Sequence, residues 1–171
     1  MLIIRDARPQ DALEVAAVHV RAWQASYSGL LGQEYLDRLR PEDRAARYDF
    51  DGEDPRTIVA IERDTIRGFA SFGASRDQDT AQAGEVYALY VDPPHWGEGT
   101  GCALMARASQ RLRARGFTEA ILWVLAGNER AASFYRGEGW SHDGSRRRED
   151  IWGVDVEVLR YRRTLQAVAE G

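Results

Sequence analysis

The chain has 171 residues, of which 44% are hydrophobic and 29% charged, with a formal net charge of −4. This is the profile of one globular domain with a real core, and the acidic balance argues against nucleic acid as a partner. All 23 Lys/Arg positions are Arg, which excludes lysine Schiff-base and P-loop chemistry, and the single Cys102 excludes an intrachain disulfide.

Leu2 to Ala7 reads as a short strand, and Pro9-Gln10-Asp11 opens a helix. Leu13, Ala16, Ala17, Val20 and Tyr27 recur at helical spacing along it, until Gly29 and Gly32 break the pattern. A second helical stretch, Glu34 to Tyr48, is interrupted at Pro41, and an acidic turn spans Asp49 to Pro55. Thr57–Glu62 and Arg67–Ala74 read as antiparallel strands joined around Asp64. Glu85 to Val91 is an almost continuous apolar run, the pattern of a central strand covered on both faces.

Gly97-Glu98-Gly99-Thr100-Gly101 then opens a helix running to about Arg115, with Leu104, Ala108 and Leu112 as its buried stripe. Ala120–Leu125 is a second buried strand, and Asn128 caps a short helix that Gly139 stops. Trp140–Ser145 and Ile151–Arg162 read as a terminal hairpin turning at Arg146–Asp150. The order β-α-α-β-β-β-α-β-α-β-β predicts an α+β (mixed α/β) domain over residues 1–165, with about seven mostly antiparallel strands, about four helices, and a frayed tail at 166–171.

The glycine-rich turn between strand and helix is a candidate phosphate site. Alternate glycines let the backbone turn tightly, and the helix N-terminus offers unpaired N–H donors at the positive end of its dipole. A P-loop needs a lysine that is absent, and the dinucleotide pattern G-x-G-x-x-G fails in both frames, meeting Cys102 or Leu104 in place of the last glycine.

The stretch VYALYVDPPHWGEGTGCAL resembles the acetyl-CoA motif of the GNAT superfamily, whose core is Arg/Gln-x-x-Gly-x-Gly/Ala. Gly99 and Gly101 match the two small positions, while Trp96 stands where Arg or Gln is usual. Downstream, Asn128, Ala131, Phe134, Tyr135 and Gly139 are similar to the family's Asn-x-x-Ala-x-x-Phe-Tyr-x-x-x-Gly-Phe pattern, with Trp140 for the last Phe. The resemblance is tight over residues 85–140 and loose over the whole element order.

It implies a GNAT-like fold and an N-acetyltransferase using acetyl-CoA, without a metal, and direct attack by a primary amine. The N–H groups of Gly97, Gly99, Gly101 and Cys102 would hold the phosphates, with Trp96, Glu98 and Thr100 in the same loop. The backbone at Tyr90 and Val91 would hold the pantetheine arm, and Asn128 and Ser133 of the second motif are further cofactor contacts. The family's first two helices border the acceptor, which makes Trp23, Tyr27 and Tyr35 candidate acceptor contacts.

The resemblance also makes Tyr135 the candidate acid for the leaving thiolate, since the family's matching tyrosine sits near the CoA sulfur and a phenol is protonated at neutral pH. Glu85 is the candidate base; alternation along the strand places it with Tyr87, Leu89 and Val91 in apolar surroundings. His19, His95 and His142 read as isolated, and no cluster has metal-ligand spacing. Arg146, Arg147 and Arg148 are a solvated hairpin tip or a contact for the 3′-phosphate of CoA.

The expected partner is a small-molecule or peptide amine, with no nucleic acid and no membrane. A cytoplasmic location and a homodimer paired through the terminal strands fit the same reading. A non-catalytic acyl-CoA sensor is the alternative on this sequence.

Overall fold

The computed structural model describes residues 1–165; the tail expected at 166–171 lies outside the described residues. Seven strands form one sheet: β1 (Ile3–Asp6), β2 (Arg56–Glu62), β3 (Thr65–Ala74), β4 (Gly84–Val91), β5 (Glu119–Leu125), β6 (Ser141–Ile151) and β7 (Val154–Thr164). Their spatial order is β1-β2-β3-β4-β5-β7-β6, and every neighbouring pair is antiparallel except β4 with β5. The five helices are α1 (Ala12–Ser26), α2 (Gln33–Asp37), α3 (Pro41–Ala45), α4 (Thr100–Ala114) and α5 (Glu129–Gly137). The expected α+β class and seven strands hold. The helix count rises from about four to five because Pro41 forces Arg40 into extended backbone and splits the second helical stretch.

The apolar strands carry side chains to both faces because both are covered. Ile58, Ala60, Ala70 and Phe72 pack with Leu104, Met105, Ala108 and Leu112 of α4. The intervening Val59 and Phe69 pack with Val15 and Val18 of α1. Fully burying each such side chain contributes roughly 1.5–3 kcal/mol before entropy is counted.

β4 departs from simple alternation. Opposite Ser71 and Phe72 its register skips Tyr87, so Ala88 faces Ser71 while Val86 faces Phe72. That bulge leaves Val86, Leu89 and Val91 on the α4 side, while Ala88 and Tyr90 pack on the α1 side. Glu85 is therefore not on the face of Leu89 and Val91, as strict alternation predicts; it shares the α1-side cavity with Tyr87.

The second correction concerns the terminal hairpin. Arg146–Asp150 is strand, paired from Arg146↔Leu159 to Asp150↔Asp155, and the turn is Trp152-Gly153. Trp152 adopts φ +53, an unusual conformation for so bulky a side chain, and Gly153 follows at φ +84.

Three charged residues of this hairpin, Asp143, Arg147 and Arg160, join a network with the loop before β4. Arg160 of β7 is 4% exposed and binds Asp143 at 2.6 Å, Asp79 at 2.7 Å and Asp77 at 3.2 Å. Asp77 also accepts from Trp123 Nε1 at 3.0 Å and from Arg147 at 2.8 Å. The network ties β5, β6 and β7 to the loop before β4. Arg160→Met leaves buried Asp77 and half-buried Asp143 without their central cation. We expect a loss of about 3–5 kcal/mol in urea unfolding; a loss under 1 kcal/mol would show that the network does not support the fold.

Candidate active site

β4 and β5 are paired at only two positions, Gly84↔Ala120 and Glu85↔Ile121. β5 then follows β7 along its whole length while the bulged β4 follows β3, and a wedge opens between them. Two cavities occupy it.

The first, of about 450 Å³, is lined by β4 from Val86 to Val91, by the loop that follows it, by the end of β5 and by α5. In that loop Gly97 has φ +79, and Gly99, which caps α4, has φ +87. An L side chain is strained in this left-handed region, whereas glycine is not. Gly101 is tightly placed in a different way: a Cβ there would lie 3.3 Å from the Phe134 ring, so the two sequence motifs pack directly on one another.

Among the described residues, no N–H from Gly97 to Cys102 donates in the turn and cap backbone bonds. The first to do so is Ala103, to the Gly99 carbonyl at 3.0 Å. A row of free amides at the positive end of a 15-residue helix is an anion cradle.

Of the residues proposed for the cofactor, Tyr90, Val91, Trp96, Gly97, Gly99, Thr100, Gly101, Cys102 and Asn128 all line this cavity. Glu98 and Ser133 do not; both are exposed, and Glu98 faces His95 at 3.2 Å. Trp96 is turned back on the strand, its indole donating to the Val91 carbonyl at 2.8 Å. The Arg130 guanidinium lies 3.2 Å from the centre of the Trp96 ring. A cation is thus present at the loop, delivered by α5 instead of by position 96. The sequence holds this only as a basic residue in the first turn of a capped helix, with nothing to say which ring it meets.

Tyr135 also lines the first cavity and makes no side-chain hydrogen bond among the described residues. Burial, and then the nearby Tyr90, push its phenol above the ordinary range. The hydroxyl therefore keeps its proton at neutral pH.

The second cavity, of about 280 Å³, lies on the α1 side. Of the candidate acceptor contacts, Trp23 and Tyr27 line it and so does Glu85, the candidate base; Tyr35 does not, and donates to the Trp152 carbonyl at 2.8 Å. Trp23 Nε1 donates to the Tyr90 hydroxyl at 3.1 Å, and the Tyr27 hydroxyl is 3.3 Å from it. Burial raises the Tyr90 phenol too.

Glu85 is 2% exposed and not in apolar surroundings. Its carboxylate accepts from Arg76 Nη2 at 2.9 Å and from the Arg76 amide at 3.1 Å. Arg147 joins Asp77 and Glu149 beside this second cavity, away from the glycine loop, and neither it nor Arg146 or Arg148 lines the first cavity. The two catalytic candidates thus sit in different cavities, Tyr135 in the first and Glu85 in the second. The cavities nevertheless share six lining residues: Tyr27, Tyr87, Ala88, Tyr90, Trp123 and Leu125.

His19, read from the sequence as isolated, belongs to this site. It lies 2.9 Å from the Tyr48 hydroxyl and within 4.6 Å, ring centre to ring centre, of both Tyr90 and Trp152. Its spacing of four residues from Trp23 was the available signal, since both lie on one face of α1. No group of three or more metal-ligating side chains is present among the described residues, and no described helix is long and apolar enough to cross a membrane.

Residues 18–140 match the model of the acetyltransferase (GNAT) family. Over 128 residues the chain is 29% identical to an uncharacterized N-acetyltransferase of Bacillus subtilis, YuaI, covering 75% of this chain and 74% of that one. It is 31% identical over 144 residues to the mycothiol acetyltransferase of Amycolatopsis mediterranei but spans only 43% of that longer protein. The fold matches the PaiA N-acetyltransferase of Thermoplasma acidophilum in complex with coenzyme A, with TM-score 0.71, 22% identity, and 96% and 99% of the two chains covered. It equally matches YncA of Salmonella typhimurium with its cofactor acetyl-CoA, with TM-score 0.71, 19% identity, and 100% and 98% coverage.

Burial, and then the positive charge of Arg44, hold the His19 imidazole well below its ordinary pKa of 6.5. The unfolded chain takes up a proton at this residue below pH 6.5 while the folded chain does not. Stability should therefore fall with pH below about 6.5, with a slope approaching 1.4 kcal/mol per pH unit. Urea titrations between pH 7 and 5 measure this slope. His19→Asn should flatten it, and an unchanged slope would remove the assignment.

Proposed function

The chain belongs to the acetyltransferase (GNAT) family, and from that premise we propose that it moves an acetyl group from acetyl-CoA to a primary amine within a ternary complex. The observation that carries this reading is the meeting of two cavities along the β4–β5 wedge, one with an anion cradle and one with an aromatic lining that carries charges of both signs. A thioester and an amine approaching from opposite sides of Tyr90 would meet there.

The first cavity fits coenzyme A on three counts. The free amides of Gly97 to Cys102 suit a pyrophosphate, and Arg130 on Trp96 adds a positive charge beside them. On the side of β4 that faces the wedge, the backbone beyond Glu85 has no strand partner in β5, so an extended, amide-bearing arm can pair with it. The volume of about 450 Å³ lies within the usual range of roughly 300–1,000 Å³ for ligand sites.

In the reaction the amine nitrogen forms a bond to the thioester carbonyl carbon, and the carbon–sulfur bond breaks. The ammonium loses one proton before attack and another as the amide forms; the departing thiolate takes one back. Tyr135, which lines the first cavity and is protonated at neutral pH like any phenol, supplies that proton. An amine of pKa near 10.4 is neutral in only about one molecule in a thousand at pH 7, so proton removal on the acceptor side matters. Glu85 receives that proton through water, from the floor of the second cavity and beside Arg76. Cys102 has no nucleophilic part in this scheme: its thiol donates to Glu138 at 2.9 Å, an interaction that, with burial, holds its pKa above the ordinary value.

Tyr135→Phe should lower kcat by about tenfold or more while acetyl-CoA affinity, measured by calorimetry, stays within about twofold. Unchanged turnover would remove its role. Gly99→Val, which forces an L side chain to φ +87, should weaken acetyl-CoA binding by roughly tenfold or more. Acetyl-CoA binding with no thiol release from any amine would instead favour a sensor.

A further inference from the structure

The second cavity holds one cation that the scheme above does not use. Arg44, on α3, lines it with its guanidinium 4.0 Å from the centre of the Trp152 ring. Arg76 and Arg147, the other two cations there, are each bound to carboxylates. Arg44 has no carboxylate partner among the described residues, and its Nε is buried without a hydrogen bond. The Tyr48 phenol lies beside it, and burial lowers its pKa.

The backbone around this cation is built at a cost. Trp152 holds a left-handed conformation at φ +53, which brings its ring into a stack on Trp23 at 4.1 Å and beneath Arg44. A half-buried guanidinium with a phenol beside it but no carboxylate, on an aromatic platform, is a receptor for a planar anion, which it can bind through two parallel hydrogen bonds. At the hairpin end of the same cavity, Asp150 accepts only from the Gly153 amide and has no cationic partner among the described residues. The lining therefore offers one free positive and one free negative group around an aromatic wall. At about 280 Å³ the cavity admits only a small occupant.

We propose that the acceptor is a small amine carrying its own carboxylate, an amino acid or a close analogue, with the carboxylate on Arg44 and the side chain against Trp23 and Trp152. The proposal rests on the acetyltransferase reading and narrows it. Asp150 draws the ammonium group toward the cavity. The amine then points to the shared wall at Tyr90, and the anionic end stays at α3.

The test measures thiol release from acetyl-CoA with the standard L-amino acids, each paired with its carboxamide, for the wild-type chain, Arg44→Met and Arg44→Lys. The amide has the less basic, more readily neutral amine, so chemistry alone favours it; a preference for the free acid reports recognition of the carboxylate. We expect wild-type kcat/KM to favour at least one free amino acid over its amide by roughly 10- to 100-fold. Arg44→Met should erase that preference with acetyl-CoA affinity unchanged, and Arg44→Lys should keep part of it. Wild-type indifference to the carboxylate, a preference for peptide N-termini, or an equal loss for acid and amide in Arg44→Met would each overturn the proposal.

If no amine at all is acetylated, the acetyltransferase reading fails by itself. Calorimetric titration of the same amino acids into the coenzyme A-loaded protein then decides the acceptor proposal. Binding that Arg44→Met abolishes sustains it, and no binding to the wild-type chain ends it.

Discussion

The separation of β4 from β5 is the constraint on which the rest of this structure depends. Two parallel neighbours in a sheet normally satisfy one another along their whole length, because buried backbone N–H and C=O groups are costly to leave unpaired. Here pairing stops after Glu85, and a single extra residue, Tyr87, redirects β4. The exposed edge that results is not flanked by solvent alone. It is lined by the glycine loop, by α5 and by the aromatic face of α1. The gap leaves β4 backbone groups beyond Glu85 without partners in β5.

Holding such a gap open requires rigid elements on both sides. On the β4 side, α4 packs Leu104, Met105, Ala108 and Leu112 against β2 and β3. On the β5 side the chain relies on charge. Arg160 and Asp77 are nearly out of solvent, and with Asp143 they bind the last two strands to the loop preceding β4. Buried ions are a poor source of stability relative to apolar packing, but they are sensitive to geometry. The network anchors the β6–β7 hairpin, whose tip at Trp152 lines the second cavity.

Much of this was legible in the residues. The two-motif spacing, the alternate glycines and the Asn128 cap are local signals, and each appears in the structure where chain order placed it. The strand boundaries of β2, β3, β4 and β5 followed from apolar runs ended by turn residues. Three readings failed because their information is not local. Glu85 changed face because a bulge in a neighbour's register breaks period two. The run Arg146–Asp150 was read as a turn because its charges suggested solvent, yet its partners are strand β7 and buried Asp77. His19 seemed isolated because its companions, Tyr48, Tyr90 and Trp152, are distant in the chain.

The amino-acid sequence alone determined the class of the fold, the position of the glycine-rich turn that opens α4 and the placing of Tyr135 on the capped helix beyond β5. Each of these rests on contacts within a few residues, where spacing and side-chain type are enough. Only the tertiary structure decided which face Glu85 occupies, that Arg130 brings to the loop the charge missing at position 96, and that Arg44 meets Trp152 with no counter-ion. These are pairings between elements far apart in sequence, and their energies depend on burial and distance, which no linear pattern records.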